Sequence, residues 1–88
     1  MQARVSRILI YLNEVKTRCT YAAVAEFLGV SPQSVGQLLG KRRPEASWVV
    51  NSKTGDPTDY LDSEKDPELY RTDRIIKSAD VLRRNLGQ

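Results

Sequence analysis

Apolar residues in the first half of the chain recur at three- and four-residue steps in three separate runs. Val5, Ile8, Leu9, Leu12 and Val15 form the first, with Arg4, Arg7, Asn13 and Glu14 on the other side. That pattern predicts an amphipathic helix over residues 2–17. Val24, Phe27 and Leu28 form the second run, over residues 20–28, with Thr20 as its candidate N-cap. Val35, Leu38 and Leu39 form the third, over residues 31–39. Gly29 stands where the second helix must stop, a position that favours positive φ. Ser31 suits an N-cap and Pro32 the first helical position, and Gly40 ends the third helix. Lys16, Thr17 and Arg18 read as a connection leading to Cys19 and Thr20.

The spacing of Ala25, Gly29 and Val35 is that of a helix-turn-helix. A small residue lets the two helices cross closely, the glycine makes the turn, and the valine packs back between them. Two helices cannot bury a core alone, so the helix over 2–17 is expected to cover their open side. The polar residues left on the third helix are Gln33, Ser34 and Gln37, followed by Lys41, Arg42 and Arg43. Amides read base edges and cations hold phosphates, so this face reads as a DNA contact surface.

Beyond Arg43 the pattern changes. Pro44 blocks helix continuation, residues 47–51 read as a short strand, and residues 51–57 carry turn chemistry around Gly55. Strand and turn together predict a wing, with Lys53 near its tip. Trp48 is assigned to the core, the alternative being a surface ring that stacks on a base. Asp66-Pro67-Glu68 looks like a further helix start, and Ile75, Ala79, Leu82 and Leu86 fit one helical stripe ending near Gly87. The expected fold is therefore mainly α, one winged helix-turn-helix-like domain. Its parts are a covering helix (1–18), the helix-turn-helix with its basic tail (20–43), a wing (45–57), and an acidic loop with a C-terminal helix (58–88).

Charge sharpens this picture. The chain has 88 residues and a formal charge of +3. Residues 1–53 carry 8 Lys/Arg against 3 acids, residues 54–73 carry 2 against 7, and residues 74–88 carry 4 against 1. The basic part coincides with the helix-turn-helix, as expected of a nucleic-acid face. The acidic stretch, Asp56 to Asp73, lacks the order of ligands of a calcium loop and reads as a solvated loop turned away from DNA. No metal or cofactor is expected. The chain has no histidine, which excludes His-based acid–base catalysis, Ser-His-Asp and Cys-His nucleophiles and mixed zinc sites. The lone Cys19 has no base beside it and is read as structural. Its isolation, and an apolar run no longer than Ile8–Leu12, point to a soluble cytoplasmic protein without a membrane partner.

Thr20-Tyr21, Ala25, Ser31-Pro32-Gln33-Ser34-Val35-Gly36, Val49-Val50-Asn51 and Gly55, taken in order, resemble a known series. It is that of the C-terminal DNA-binding domain of alkylguanine-DNA alkyltransferases and of their non-enzymatic relatives, the alkyltransferase-like proteins. In that family a Thr-Tyr pair opens the first motif helix and Pro-Arg-Ala-Val-Gly the recognition helix. Pro-Cys-His-Arg-Val-Val and a glycine turn follow. The resemblance spans roughly residues 5–60. Aligning the Val-Val pairs sets Glu45, Ala46, Ser47 and Trp48 against Pro, Cys, His and Arg, so the alkyl-accepting thiol and its histidine are missing. Gln33 stands where the family has the arginine that takes the place of a flipped base, and lacks its charge and planar breadth.

The resemblance implies minor-groove docking, with Tyr21 turning a phosphate. It puts Gln33, Ser34 and Gln37 in the groove and Lys41, Arg42 and Arg43 on the backbone. A generic helix-turn-helix enters the major groove instead, and both remain open here. Ser31 and Lys53 complete the candidate contact set. The leading expectation is a non-enzymatic binder of double-stranded DNA that senses lesions or distortion. The alternatives are a sequence-specific regulator reading bases with Gln33 and Gln37, an enzyme or accessory subunit using the acidic loop, and a module that binds protein through that loop or the C-terminal helix. Oligomeric state is left open.

Overall fold

The three runs of helical spacing fold as α1 (Gln2–Val15), α2 (Tyr21–Leu28) and α3 (Pro32–Leu39) in a computed structural model that describes residues 2–87. Met1 and Gln88, at the ends of the expected 1–18 and 58–88 segments, lie outside the described residues. α1 buries Val5, Ile8, Leu9 and Leu12. Val15 was expected in the same stripe but is 43% exposed, because the helix ends there and Lys16 turns the chain at φ 54°. Thr20 caps α2, its hydroxyl accepting from the Ala23 N–H at 3.1 Å. Gly29 stops α2 at φ 75°, and the N–H groups of Gly29 and Val30 both donate to the Ala25 carbonyl, at 2.8 and 3.0 Å. Ala25 and Val35 are both buried where α2 and α3 meet.

Arg18, expected in a connection leading to Cys19 and Thr20, instead opens a strand at the centre of a sheet. β1 (Arg18–Thr20) lies between β2 (Val49–Val50) and β3 (Ile75–Ile76), parallel to both. Cys19 faces Val49 on one side and Ile76 on the other. A parallel pair needs a long crossover. Here α2, α3 and a 3₁₀ turn at Pro44–Ala46 make the first one.

β2 is thus a buried strand of this sheet, with Trp48, Val49 and Val50 all 0% exposed, and not one arm of an exposed hairpin. After it comes a turn in which the Gly55 N–H donates to the Asn51 carbonyl and the Asn51 N–H to that of Asp56. Trp48 is a core residue, as expected. Its Nε1 donates to Asn13 Oδ1 at 3.1 Å, so Asn13 is half-buried rather than part of a free polar face.

The C-terminal part departs further from expectation. Residues 66–71 form turns, not a helix, and Leu69 within the acidic stretch is fully buried. Ile75 belongs to β3 instead of the helical stripe, and α4 (Ala79–Asn85) starts only after Ser78, whose hydroxyl accepts from the Asp80 N–H. Among the described residues, four α-helices and a small parallel sheet make the fold mainly α. Among the described residues no helix is long and apolar enough to cross a membrane.

Cys19 sits at 0% exposure in the middle strand, and burial pushes its thiol up to about 12 from 9.0. In the unfolded chain the thiol ionises near its ordinary value, so above that pH the folded state holds a proton that the unfolded state has lost. Stability should therefore fall by about 1.4 kcal/mol per pH unit through this window. Urea unfolding from pH 8 to 11 checks this: Cys19→Ala should flatten the decline, and an unchanged slope would show that other groups cause it.

Candidate nucleic-acid interface

Strand register brings the first two residues of the site together. β1 and β2 run parallel with Thr20 opposite Val50, so the residues that follow, Tyr21 and Asn51, leave the sheet side by side. Both line an open cleft of about 650 Å³. α3 supplies a second wall through Gln33, Gly36 and Gln37, continued by Lys41 and Arg42. Gln33 and Gln37 stand four residues apart, the spacing of one helix face, and Lys41 and Arg42 follow beyond the Gly40 that ends the helix. All four of these polar side chains are exposed. The described ion pairs are Arg43–Glu45, Lys65–Asp62, Arg71–Glu68 and Arg83–Asp80, which leaves Lys41 and Arg42 without a described carboxylate partner.

The third wall was not foreseen. Thr58, Asp59 and Tyr60 line the same cleft, so the acidic stretch begins beside the basic residues instead of turning away from them. The Thr58 N–H donates to the Tyr21 hydroxyl at 3.3 Å, which holds this segment against the start of α2. Tyr60 packs its phenol by the Arg43 backbone. Burial is the leading cause that holds its pKa above the ordinary value, with the Arg43 backbone opposing. Asp59 takes φ 61°, a left-handed conformation that aspartate tolerates better than most residues. Sequence reasoning treated Asn51 as turn chemistry and missed Thr58, Asp59 and Tyr60. The one available signal was an aromatic residue inside a run of acids.

Other expected contacts are engaged elsewhere. Ser31 caps α3, its hydroxyl accepting from the Ser34 N–H at 3.4 Å, and the two hydroxyls lie 3.0 Å apart. Arg43 is half-buried and folds back over the end of α3. It donates to the Leu39 carbonyl at 2.8 Å and the Lys41 carbonyl at 3.3 Å, with Glu45 3.4 Å from its Nε. It lines a different groove, between α1 and Glu45, so it does not belong with Lys41 and Arg42. Lys53 is exposed in the 51–56 turn, outside the cleft, where its N–H donates to Asn51 Oδ1. Among the described residues no cluster of His, Cys, Asp or Glu is placed to hold a metal ion. In comparison with known proteins, no family model, no curated protein and no solved structure matches the chain.

Gly36 is unusual for a residue within a helix. It has no positive φ, and a Cβ built there meets nothing within 4 Å. Neither backbone geometry nor internal packing calls for glycine, although glycine within a helix costs about 1 kcal/mol relative to alanine. Gly36→Ala should therefore stabilise the fold by roughly 0.5–1 kcal/mol in urea unfolding. A loss of stability would mean that the helix face is constrained from within.

Proposed function

We propose that the chain is a non-enzymatic DNA-binding domain of the alkyltransferase-like kind, acting in the cytoplasm on double-stranded DNA as a sensor of lesions or distortion. In this reading α2 and α3 are a helix-turn-helix, α3 is the recognition helix, and the 51–56 turn takes the place of a wing. One observation carries it: Gln33, Gly36, Gln37, Lys41 and Arg42 line one cleft, with exposed amides and cations flanking a flat glycine. A duplex approaching that face meets hydrogen-bonding groups for base edges, and for phosphates it meets cations with no carboxylate partner among the described ion pairs. The glycine leaves room for close contact and explains a residue that the fold does not require.

The absence of alkyl transfer in this proposal rests on two residues. Ala46, set against the family's cysteine, is a buried methyl group in the 3₁₀ turn. Cys19 is enclosed in β1 and stays protonated, so it is no substitute nucleophile. Asp59 adds a selective element. Its carboxylate on the cleft wall repels phosphate but can accept from an exocyclic amino group.

Lys41→Gln with Arg42→Gln should weaken binding to every duplex and reduce the slope of log affinity against log salt by about 2. Arg43→Gln should change the slope little and cost stability instead. Gln33→Ala should alter the preference among a plain duplex, an alkylguanine duplex and a random pool more than it alters overall affinity. Asp59→Asn should tighten binding to all of them. Fluorescence titration across a salt series reads each outcome. Absence of duplex binding at low salt sinks the proposal, and a strong preference for one palindromic sequence would favour a regulator.

A further inference from the structure

A second set of cations lies at the other end of α2. Phe27 is buried at 7% exposure, yet two guanidinium groups lie over its ring, Arg4 at 5.2 Å and Arg83 at 6.0 Å from the centroid. Arg4 and Arg7 line a small hollow of about 210 Å³ with Ala3, Phe27 and Leu86. Each arginine is aimed by one fixed contact. Arg4 donates to the Phe27 carbonyl at 3.1 Å, Arg7 to the Leu86 carbonyl at 2.8 Å, and Arg83 to Asp80 at 2.9 Å. A guanidinium has five N–H groups, so most donors of all three remain unused by these contacts. Asp80 is the one carboxylate paired with any of them among the described ion pairs.

Capping of helix carbonyls explains one hydrogen bond each for Arg4 and Arg7. It does not explain why two guanidinium groups lie over one ring and a third lines the hollow beside it, with Asp80 the single carboxylate among their described ion-pair partners. We infer that Arg4, Arg7 and Arg83 form a second phosphate-binding site, which holds backbone phosphates of the same nucleic acid outside the α3 cleft. Planar guanidinium groups held by aromatic stacking and carbonyl contacts match phosphate oxygens in pairs.

A nucleic acid fits better than a free anion because the cations form two separate groups, one on each side of the start of α1. Gln2, at the start of α1, donates to the Leu38 carbonyl near the end of α3. Lys41 and Arg42 lie just beyond that end, whereas Arg4, two residues on from Gln2, faces the other side of α1 and reaches Phe27. Cations therefore lie on both sides of the start of α1. A polyanion with repeated phosphates can reach both sides, whereas one phosphate ion cannot.

The choice of nucleic acid as partner rests on the DNA-binding reading, but the site itself is separable from the α3 face. Arginine Nε–H signals can be followed by NMR while a random-sequence duplex is added to the wild-type protein and to the Lys41→Gln/Arg42→Gln variant. The Arg4, Arg7 and Arg83 signals should shift in both. In a parallel salt series run below the unfolding transition of both proteins, Arg7→Gln/Arg83→Gln should lower the wild-type slope by about 2.

If these signals shift in the Lys41/Arg42 variant while that variant keeps the wild-type affinity, the cleft reading fails and the second site stands. An unchanged slope in the Arg7/Arg83 variant, with no arginine shifts, removes the second site and leaves the cleft reading intact. Equal shifts with inorganic phosphate at matched phosphate concentration would overturn the nucleic-acid assignment. Displacement of the duplex by oligoglutamate at a lower charge concentration would overturn it in favour of an acidic protein partner.

Discussion

The structure depends on a strand of three residues with both edges occupied in parallel. A parallel neighbour cannot be reached by a tight turn, so each pairing of β1 forces the chain through a long excursion before it returns. α2, α3 and the 3₁₀ turn fill the first excursion, and the acidic stretch fills the second, between β2 and β3. The candidate site follows from that arrangement. Parallel strands end on the same side, so Tyr21 and Asn51 emerge together, and α3 and the acidic stretch are drawn to the same edge. Crevices beyond the carboxyl ends of parallel strands are recurrent binding places in larger α/β proteins, and the same geometry operates here on a small scale.

The parts that were legible in the sequence are those whose signal is local. α1, α2 and α3 combine helical spacing with start and stop residues, and Thr20, Gly29, Ser31 and Gly40 each sit at the helix ends expected of them. β1 was not legible because three consecutive buried residues have no period, and its partners lie far away in the chain. β3 failed differently. Ile75, Ala79, Leu82 and Leu86 do fall at helical steps, but the strand edge offered by β1 claims Ile75, and Ser78 starts the helix later. Tertiary pairing overrode a local pattern that was real but incomplete.

The same distinction separates the expected residues that gather at the cleft from those that do not. Composition alone treats Lys41, Arg42 and Arg43 as one cluster. Their fates divide at Gly40, whose φ of 73° ends α3 and leaves its last carbonyls to be satisfied by another group. Arg43 satisfies two backbone carbonyls at this end and is thereby withdrawn from the cleft, whereas Lys41 and Arg42 have no such task. Ser31 and Ser34 are likewise committed to one another at the start of the helix. What remains free on α3 is Gln33 and Gln37, visible in the sequence as a spacing of four, with Lys41 and Arg42 beyond its end. Which cations the helix ends would claim was not visible, because that depends on backbone geometry past the glycine.

Arg18 explains how an acidic stretch comes to rest beside basic residues. Arg18 is 7% exposed and takes part in none of the described ion pairs, a costly state for a charge unless polar groups surround it. One nitrogen donates to the Gly55 carbonyl at 2.9 Å and another to the Thr72 carbonyl at 2.8 Å. The Tyr70 ring lies 5.7 Å from the guanidinium carbon, and the Tyr70 hydroxyl in turn donates to Asp56. These contacts come from both ends of residues 55–72, so solvating one buried charge on β1, whose Nε alone is left without a described partner, pulls the stretch against the sheet. Gly55 suits this closeness, since a Cβ there would stand 3.2 Å from an Arg18 nitrogen. With both ends held, Thr58 to Tyr60 lie along the cleft, and Asp59 is kept near Lys41 and Arg42 by a cation they never touch.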